Sequence, residues 1–145
     1  MIHLVSNSAQ ETAAIGQRIA SSLEKNAKGR VVALTGELGS GKTCLVKGIA
    51  LALGVSENVT SPTYTIISEY ACRSFPAFYH IDAYRLNCEN DFEDIGGVEI
   101  IKSGCLCLVE WADRIMKILP QDTIAVNMEI TGSDSRLIKI QGMEL

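Results

Sequence analysis

The sequence predicts an α/β domain in which helices flank a central sheet, and two observations carry that prediction. A short apolar run, Val31-Val32-Ala33-Leu34, stands directly before the glycine-rich stretch Gly36-Glu37-Leu38-Gly39-Ser40-Gly41-Lys42-Thr43, and an amphipathic pattern follows it. A continuous apolar run in that position is a strand buried on both faces, the kind found where helices cover a sheet from both sides. The 145 residues are enough for one domain, 1–145, with a sizeable core, and no repeat or linker divides them.

Each element follows from local pattern. Ser8-Ala9-Gln10-Glu11 reads as a capping box with Ser8 as N-cap, and Ile15, Ile19 and Leu23 give the first helix its buried stripe. The helix after the glycine-rich loop carries Leu45, Val46, Ile49, Ala50 and Leu53 on one side, and Gly54 ends it. Residues 63–70 are rich in β-branched and aromatic types and predict a strand, as do residues 78–82 and 104–110. Residues 123–130 and 136–140 predict two more, joined by a turn over 131–134. Short helices are expected over 97–102 and 111–119.

Composition narrows the class. Apolar residues are 47% and charged residues 21% of the chain, the balance of a folded globular protein. No apolar run approaches the ~18 residues of a membrane span, and the first residues lack a signal-peptide pattern, so the expected setting is the cytoplasm, with no membrane contact. Net charge is −4 without a basic cluster, which argues against tight autonomous binding of nucleic acid. The five cysteines show no metal-ligand spacing, and Cys105 and Cys107 alternate as small hydrophobes on one strand face.

The loop from Gly36 to Thr43 matches G-x-x-x-x-G-K-[ST], a pattern met by accident in roughly one chain of this length in two hundred. Its strand–loop–helix context makes it a phosphate-binding P-loop. Glycines let successive backbone N–H groups point inward at phosphate oxygens, and the following helix adds its positive dipole end. Lys42 supplies charge to the outer phosphates, and the Thr43 hydroxyl is a Mg²⁺ ligand.

A P-loop needs an acid to hold its metal, and two candidates end apolar strands: Glu110, the first choice, and Asp82, which could complete the metal shell through water or orient an attacking water. Ser61-Pro62-Thr63-Tyr64 is either a sensor of the γ-phosphate or a proline-stiffened turn, and the pattern alone favours the turn. Asp94-Ile95-Gly96-Gly97 has the form of a GTPase switch, but no buried strand precedes it and no N-K-x-D guanine reader occurs. His3 and His80 are too few for a metal site. His80 alternates with Asp82 on a strand, which leaves a supporting role open beside plain burial, and Trp111 reads first as core.

Four motifs taken together resemble one family: the loop Gly36 to Thr43, Ser61 to Tyr64, His80-Ile81-Asp82-Ala83-Tyr84-Arg85-Leu86, and Val109-Glu110-Trp111. In this order and spacing the chain resembles the TsaE (YjeE) family, the ATPase of tRNA threonylcarbamoyladenosine synthesis. The resemblance implies a P-loop NTPase-like fold with a mixed sheet, and ATP and Mg²⁺ as ligands. It also implies association with a TsaD–TsaB heterodimer, contact with tRNA only through that complex, and hydrolysis that supports repeated turnover without transferring the group. Carried over by position, it assigns Leu38, Gly39, Ser40, Gly41, Lys42 and Thr43 to the triphosphate and Thr43 and Glu110 to the metal, and it matches Asp82 to the family's functional aspartate. Glu37, the loop's acidic second position, is expected at the nucleotide and Asp82 in the metal shell. It assigns the segment from Ala9 to Thr12 to the adenine, through backbone, and Arg136 to the neighbourhood of the nucleotide. Lys42, Asp82 and Glu110 are the expected catalytic set. Ala112-Asp113-Arg114 departs from the proline many members carry after the tryptophan. No arginine declares itself as a finger within the chain; Arg85 and Arg136 are candidates, and a partner could supply another. Slow hydrolysis alone, and a monomer when free, are expected.

Two other readings remain on the residues themselves. A small-molecule kinase would use clustered arginines, whereas the six here are scattered. A nucleotide-dependent binding module would need the same loop and little hydrolysis.

Overall fold

The computed structural model describes residues 1–26, 30–59 and 66–145. Seven strands form one sheet: β1 (Ile2–Ser6), β2 (Val31–Gly36), β3 (Ile67–Tyr70), β4 (Phe78–Asp82), β5 (Leu106–Glu110), β6 (Ile124–Ile130) and β7 (Arg136–Gln141). Their spatial order is β1-β7-β6-β2-β5-β4-β3. The middle strands β6, β2, β5 and β4 run parallel, while β1 with β7, β7 with β6 and β3 with β4 pair antiparallel. The architecture is a mixed sheet of P-loop NTPase kind, flanked by helices. Strand neighbours change side at β2, so the crevice beyond its carboxyl end is where an α/β sheet of this type gathers ligands.

Alternation along the strands separates two apolar layers. Val32, Leu34, Phe78, Leu106, Leu108 and Val126 pack under α1 (Ala9–Lys25) and α2 (Lys42–Ala52). Val31, Ala33, Ile81, Cys107 and Val109 face the other way, toward Phe92 of α3 (Glu89–Asp94), Ile101 of α4 (Gly97–Ile101), Ala112 and Ile115. Both Cys105 and Cys107 are buried free thiols.

Helices α1 and α2 cross at two glycines. A Cβ on Gly48 would lie 2.2 Å from the Ala13 carbonyl oxygen, and one on Gly16 would lie 2.5 Å from that of Leu45. Only hydrogen fits at either place, so the crossing brings backbone onto backbone and fixes where α2, and with it the glycine-rich loop, sits over the sheet.

Several expectations change in detail. Ser8 caps α1 by accepting from Glu11 N at 3.0 Å, but the Glu11 carboxylate accepts from Asn7 N, one residue before the cap. Strand β1 was not expected: its alternation is short, and it is held by pairing with the distant β7. Helix α3 forms in a polar stretch that offers only Phe92 to the core. The single helix expected over 111–119 is instead two 3₁₀ turns, Ala112–Arg114 and Met116–Ile118. The reason is backbone: Trp111 is left-handed at φ 57° and Ile115 has φ −132°, both outside the helical region. The Ser61–Tyr64 motif, and the start of the strand expected from residue 63, lie outside the described residues.

Candidate nucleotide site

Leu34 pairs with Glu110, and Glu110 with Asp82, so the last residues of β4 and β5 stand beside the carboxyl end of β2. Two residues beyond Leu34 the chain enters the loop, with Gly39 at φ 80° and Gly41 at φ 98°. These left-handed conformations suit glycine and curl the backbone at the sheet edge. Helix α2 then starts at Lys42 with no side-chain cap, which leaves its first N–H groups without intrahelical acceptors. A cavity of about 460 Å³ opens there, lined by Leu38, Gly39, Gly41, Lys42, Thr43, Asp82, Tyr84, Glu110 and Trp111.

Lys42 is only 5% exposed. Its Nζ donates to the carbonyls of Gly36 (2.6 Å) and Glu37 (3.0 Å), and lies 4.3 Å from the centroid of the Trp111 ring. Burial lowers its pKa, and the charges of Glu110, Asp82 and Asp113 oppose that shift. Trp111 is thus a cavity wall, placed under the ammonium by its left-handed backbone. Tyr84 packs against it at 4.9 Å between ring centroids, and the Arg114 guanidinium lies 5.6 Å from the Tyr84 ring.

The two acids differ. Glu110 is buried and its Oε2 meets His80 Nε2. Asp82 accepts from Tyr84 N at 2.9 Å through Oδ1. Desolvation pushes the Asp82 carboxyl upward in pKa, the Tyr84 N–H bond works against it, and the Glu110 charge adds to the rise. A carboxyl whose folded pKa lies above its unfolded one is destabilising once ionised. In nucleotide-free protein, Asp82→Asn is therefore expected to raise the thermal midpoint at pH 7. The gain should shrink as pH falls through the folded pKa and vanish below the ordinary aspartate value, where both states are protonated. Thermal melts of both proteins across that range check it.

Arg136 reaches the loop from β7. Its Nε donates to Ser40 O (3.0 Å) and its Nη2 to Gly39 O (3.2 Å), while Nη1 binds Ser135 O (2.8 Å) and Gly132 O (3.2 Å). The guanidinium collects two loop carbonyls and so ties the loop to β7. Arg136→Met is expected to lower nucleotide affinity about tenfold, the worth of roughly one charge-assisted hydrogen bond. Nucleotide titration would show it; unchanged affinity would mean that the loop keeps its shape unaided.

Not every expected residue lines the cavity. Leu38, Gly39, Gly41, Lys42, Thr43, Asp82 and Glu110 do. Glu37 takes part through its carbonyl, which accepts from both Lys42 Nζ and Ser40 N. Ser40 is buried within the loop, with its Oγ unpartnered. Ala9 accepts from Cys44 Sγ at 3.2 Å, and Thr12, whose hydroxyl shares a 2.7 Å hydrogen bond with Ser6, lies beside Gly41; both flank the loop from α1. Tyr84 and Asp113 were not singled out in the sequence. Tyr84 lies in the quoted His80 to Leu86 motif and follows Asp82 by two residues, a signal that could have marked it. Asp113 gives no such signal, because the turn that brings it near Lys42 is not legible locally.

The residues present fit a nucleotide phosphate and a magnesium ion. The glycine cradle and uncapped helix offer N–H groups to an anion, and one hydroxyl with two carboxylates is a hard oxygen set. Among the described residues no group of three or more His, Cys, Asp or Glu forms a metal cage. Magnesium commonly takes one or two carboxylates together with substrate phosphates. Among the same residues no helix is long and apolar enough to cross a membrane.

Comparison with known proteins identifies the family and the fold. The family model for threonylcarbamoyl adenosine biosynthesis protein TsaE matches residues 6–138. The tRNA threonylcarbamoyladenosine biosynthesis protein TsaE of Treponema pallidum is 41% identical over 136 residues, 94% of this chain and 97% of the relative. The Bacillus subtilis protein of the same name is 41% identical over 129 residues, 89% of this chain and 78% of its own length. The crystal structure of Bacillus subtilis YdiB superposes with a TM-score of 0.74 at 32% identity, covering 96% of this chain and 83% of that one. With its sequence matched from Ser6 to Ile138 and its fold shared, the chain belongs to the TsaE family.

Proposed function

We propose that the chain is a Mg²⁺-dependent ATPase that serves tRNA threonylcarbamoyladenosine formation in the cytoplasm, as the nucleotide-using partner of a TsaD–TsaB pair. One observation carries the chemistry: Lys42, Thr43, Asp82 and Glu110 converge on a single cavity under a glycine loop. The family membership carries the pathway.

In this reading the N–H groups of residues 39–43 hold the phosphates. Lys42 exchanges the carbonyls of Gly36 and Glu37 for phosphate oxygens, and Thr43 with Glu110 and Asp82 holds the metal. Magnesium, when bound, would supply positive charge that offsets the negative charge of the phosphates. Asp82, fixed through Oδ1, keeps its second oxygen for the cavity, where it can orient water. Trp111 and Tyr84 form an apolar wall that limits solvent around the reacting groups. No arginine lines the cavity among the described residues. The arrangement therefore lacks the extra charge that speeds phosphoryl transfer, which supports slow turnover alone and acceleration by a partner.

The test is ATP turnover by the purified protein, alone and with TsaD–TsaB. Slow turnover that rises with the pair is the expected result. A rate indifferent to the pair would leave the nucleotide site standing and overturn the partnership.

A further inference from the structure

His80 is a fully buried titratable side chain that lies outside the cavity wall. It shares a sheet face with Asp82, two residues on, and with the partner-strand residues Leu108 and Glu110. In the register of β4 and β5, His80 stands opposite Leu108 and Asp82 opposite Glu110, so the imidazole reaches diagonally toward the sheet's carboxyl edge to meet Glu110. Its Nδ1 is buried without a hydrogen-bond partner. Nothing else about the ring is polar, so the contact with Glu110 is what its chemistry serves.

The contact fixes the ring's orientation. Nε2 faces a carboxylate oxygen, and two bare acceptors would repel, so Nε2 carries the hydrogen that points at Glu110. A buried carboxylate is costly unless donors satisfy it. The imidazole supplies one donor to Oε2 and pins the carboxylate, which leaves Oε1 as the oxygen free to turn toward the cavity. If burial alone mattered at this position, an apolar ring would fill it as well, without an orphaned nitrogen.

We propose that His80 is a positioning residue for Glu110: its Nε2–H orients the carboxylate so that the site binds its divalent metal tightly. The inference rests on the nucleotide and metal reading above. Partners that fix a metal-binding carboxylate commonly change metal affinity by about 10- to 100-fold when removed. His80 should therefore act on the metal and leave the phosphate contacts of the loop alone.

The experiment uses the full chain, with ADP and Mn²⁺ as probes. Mn²⁺ affinity of the ADP-bound protein is read from the paramagnetic resonance of free Mn²⁺, and ADP affinity is measured separately in chelator. His80→Phe and His80→Met remove the donor, the second with a side chain that adapts to the available space. Each is expected to weaken Mn²⁺ binding about tenfold while changing metal-free ADP affinity by less than about twofold. His80→Gln places an amide N–H where Nε2 was and should return Mn²⁺ affinity to within about threefold of the parent. Parental Mn²⁺ affinity in the donor-less variants, an equal loss in His80→Gln, or a matching loss of metal-free ADP binding would overturn the positioning role. Should the parent itself bind no Mn²⁺ beside ADP, the metal reading falls first and takes this inference with it.

Discussion

Lys42→Ala should reduce ATP turnover at least about 100-fold, the usual effect of removing a charge aimed at the reacting group. The structure gives the reason for so large a loss. The ammonium is held between the loop carbonyls of Gly36 and Glu37, above Trp111 and within the fields of Glu110, Asp82 and Asp113. Removing it deletes the phosphate contact and also leaves two carbonyls and a cluster of acids without their counterweight. Nucleotide affinity should fall along with rate, because repulsion between those acids and an incoming triphosphate is no longer offset. Steady-state turnover and nucleotide titration of Lys42→Ala test both effects. Normal turnover would remove the cavity from consideration as the hydrolytic site.

Gly48→Ala should destabilise the protein although alanine is the better helix former. Propensity returns ~1 kcal/mol. Against it stands a Cβ 2.2 Å from the Ala13 carbonyl oxygen and 2.8 Å from Ala13 Cα, atoms of the opposing backbone that no rotamer change can move. Overpacking of this kind costs about 3 kcal/mol, so a net loss of ~2 kcal/mol is expected. In a chain of this size that is a fall in thermal midpoint of roughly 6 °C. Prising α1 from α2 also shifts the start of α2, so nucleotide affinity should weaken in parallel. Calorimetry and titration of the same sample measure the two effects, and a raised midpoint would mean that the helices separate freely.

The contrast between these two positions shows what the sequence made legible. Lys42 announces itself, since glycines, lysine and threonine at fixed spacing have few uses besides phosphate binding. Asp82 and Glu110 were found because a polar residue closing an apolar strand is a local signal, and the parallel register then set them side by side. Gly48 gave no sign, because within a helical pattern a glycine registers only as weak propensity; the demand for hydrogen there comes from Ala13, far along the chain. Arg136 was placed near the nucleotide by resemblance, yet its grip on the carbonyls of Gly39 and Ser40 depends on how β7 returns beside β6. The 111–119 segment carries helix-like spacing, but the left-handed Trp111 that seats its ring under Lys42 interrupts it. Tertiary contact overrode local preference there.

The first strand also bears on how the molecule is made. Ile2 is matched with Ile140 and Ser6 with Arg136, so β1 has no sheet partner until β7 exists. On the ribosome, β1 emerges long before β7, the strand that joins it to β6. The nascent chain must therefore carry β1 unpaired, and β6 with one open edge, until residues 136–141 leave the exit tunnel. Pairing β1 with β7 closes a loop over nearly the whole chain, a long-range contact of the kind that slows folding, and an unpaired edge invites pairing with other chains.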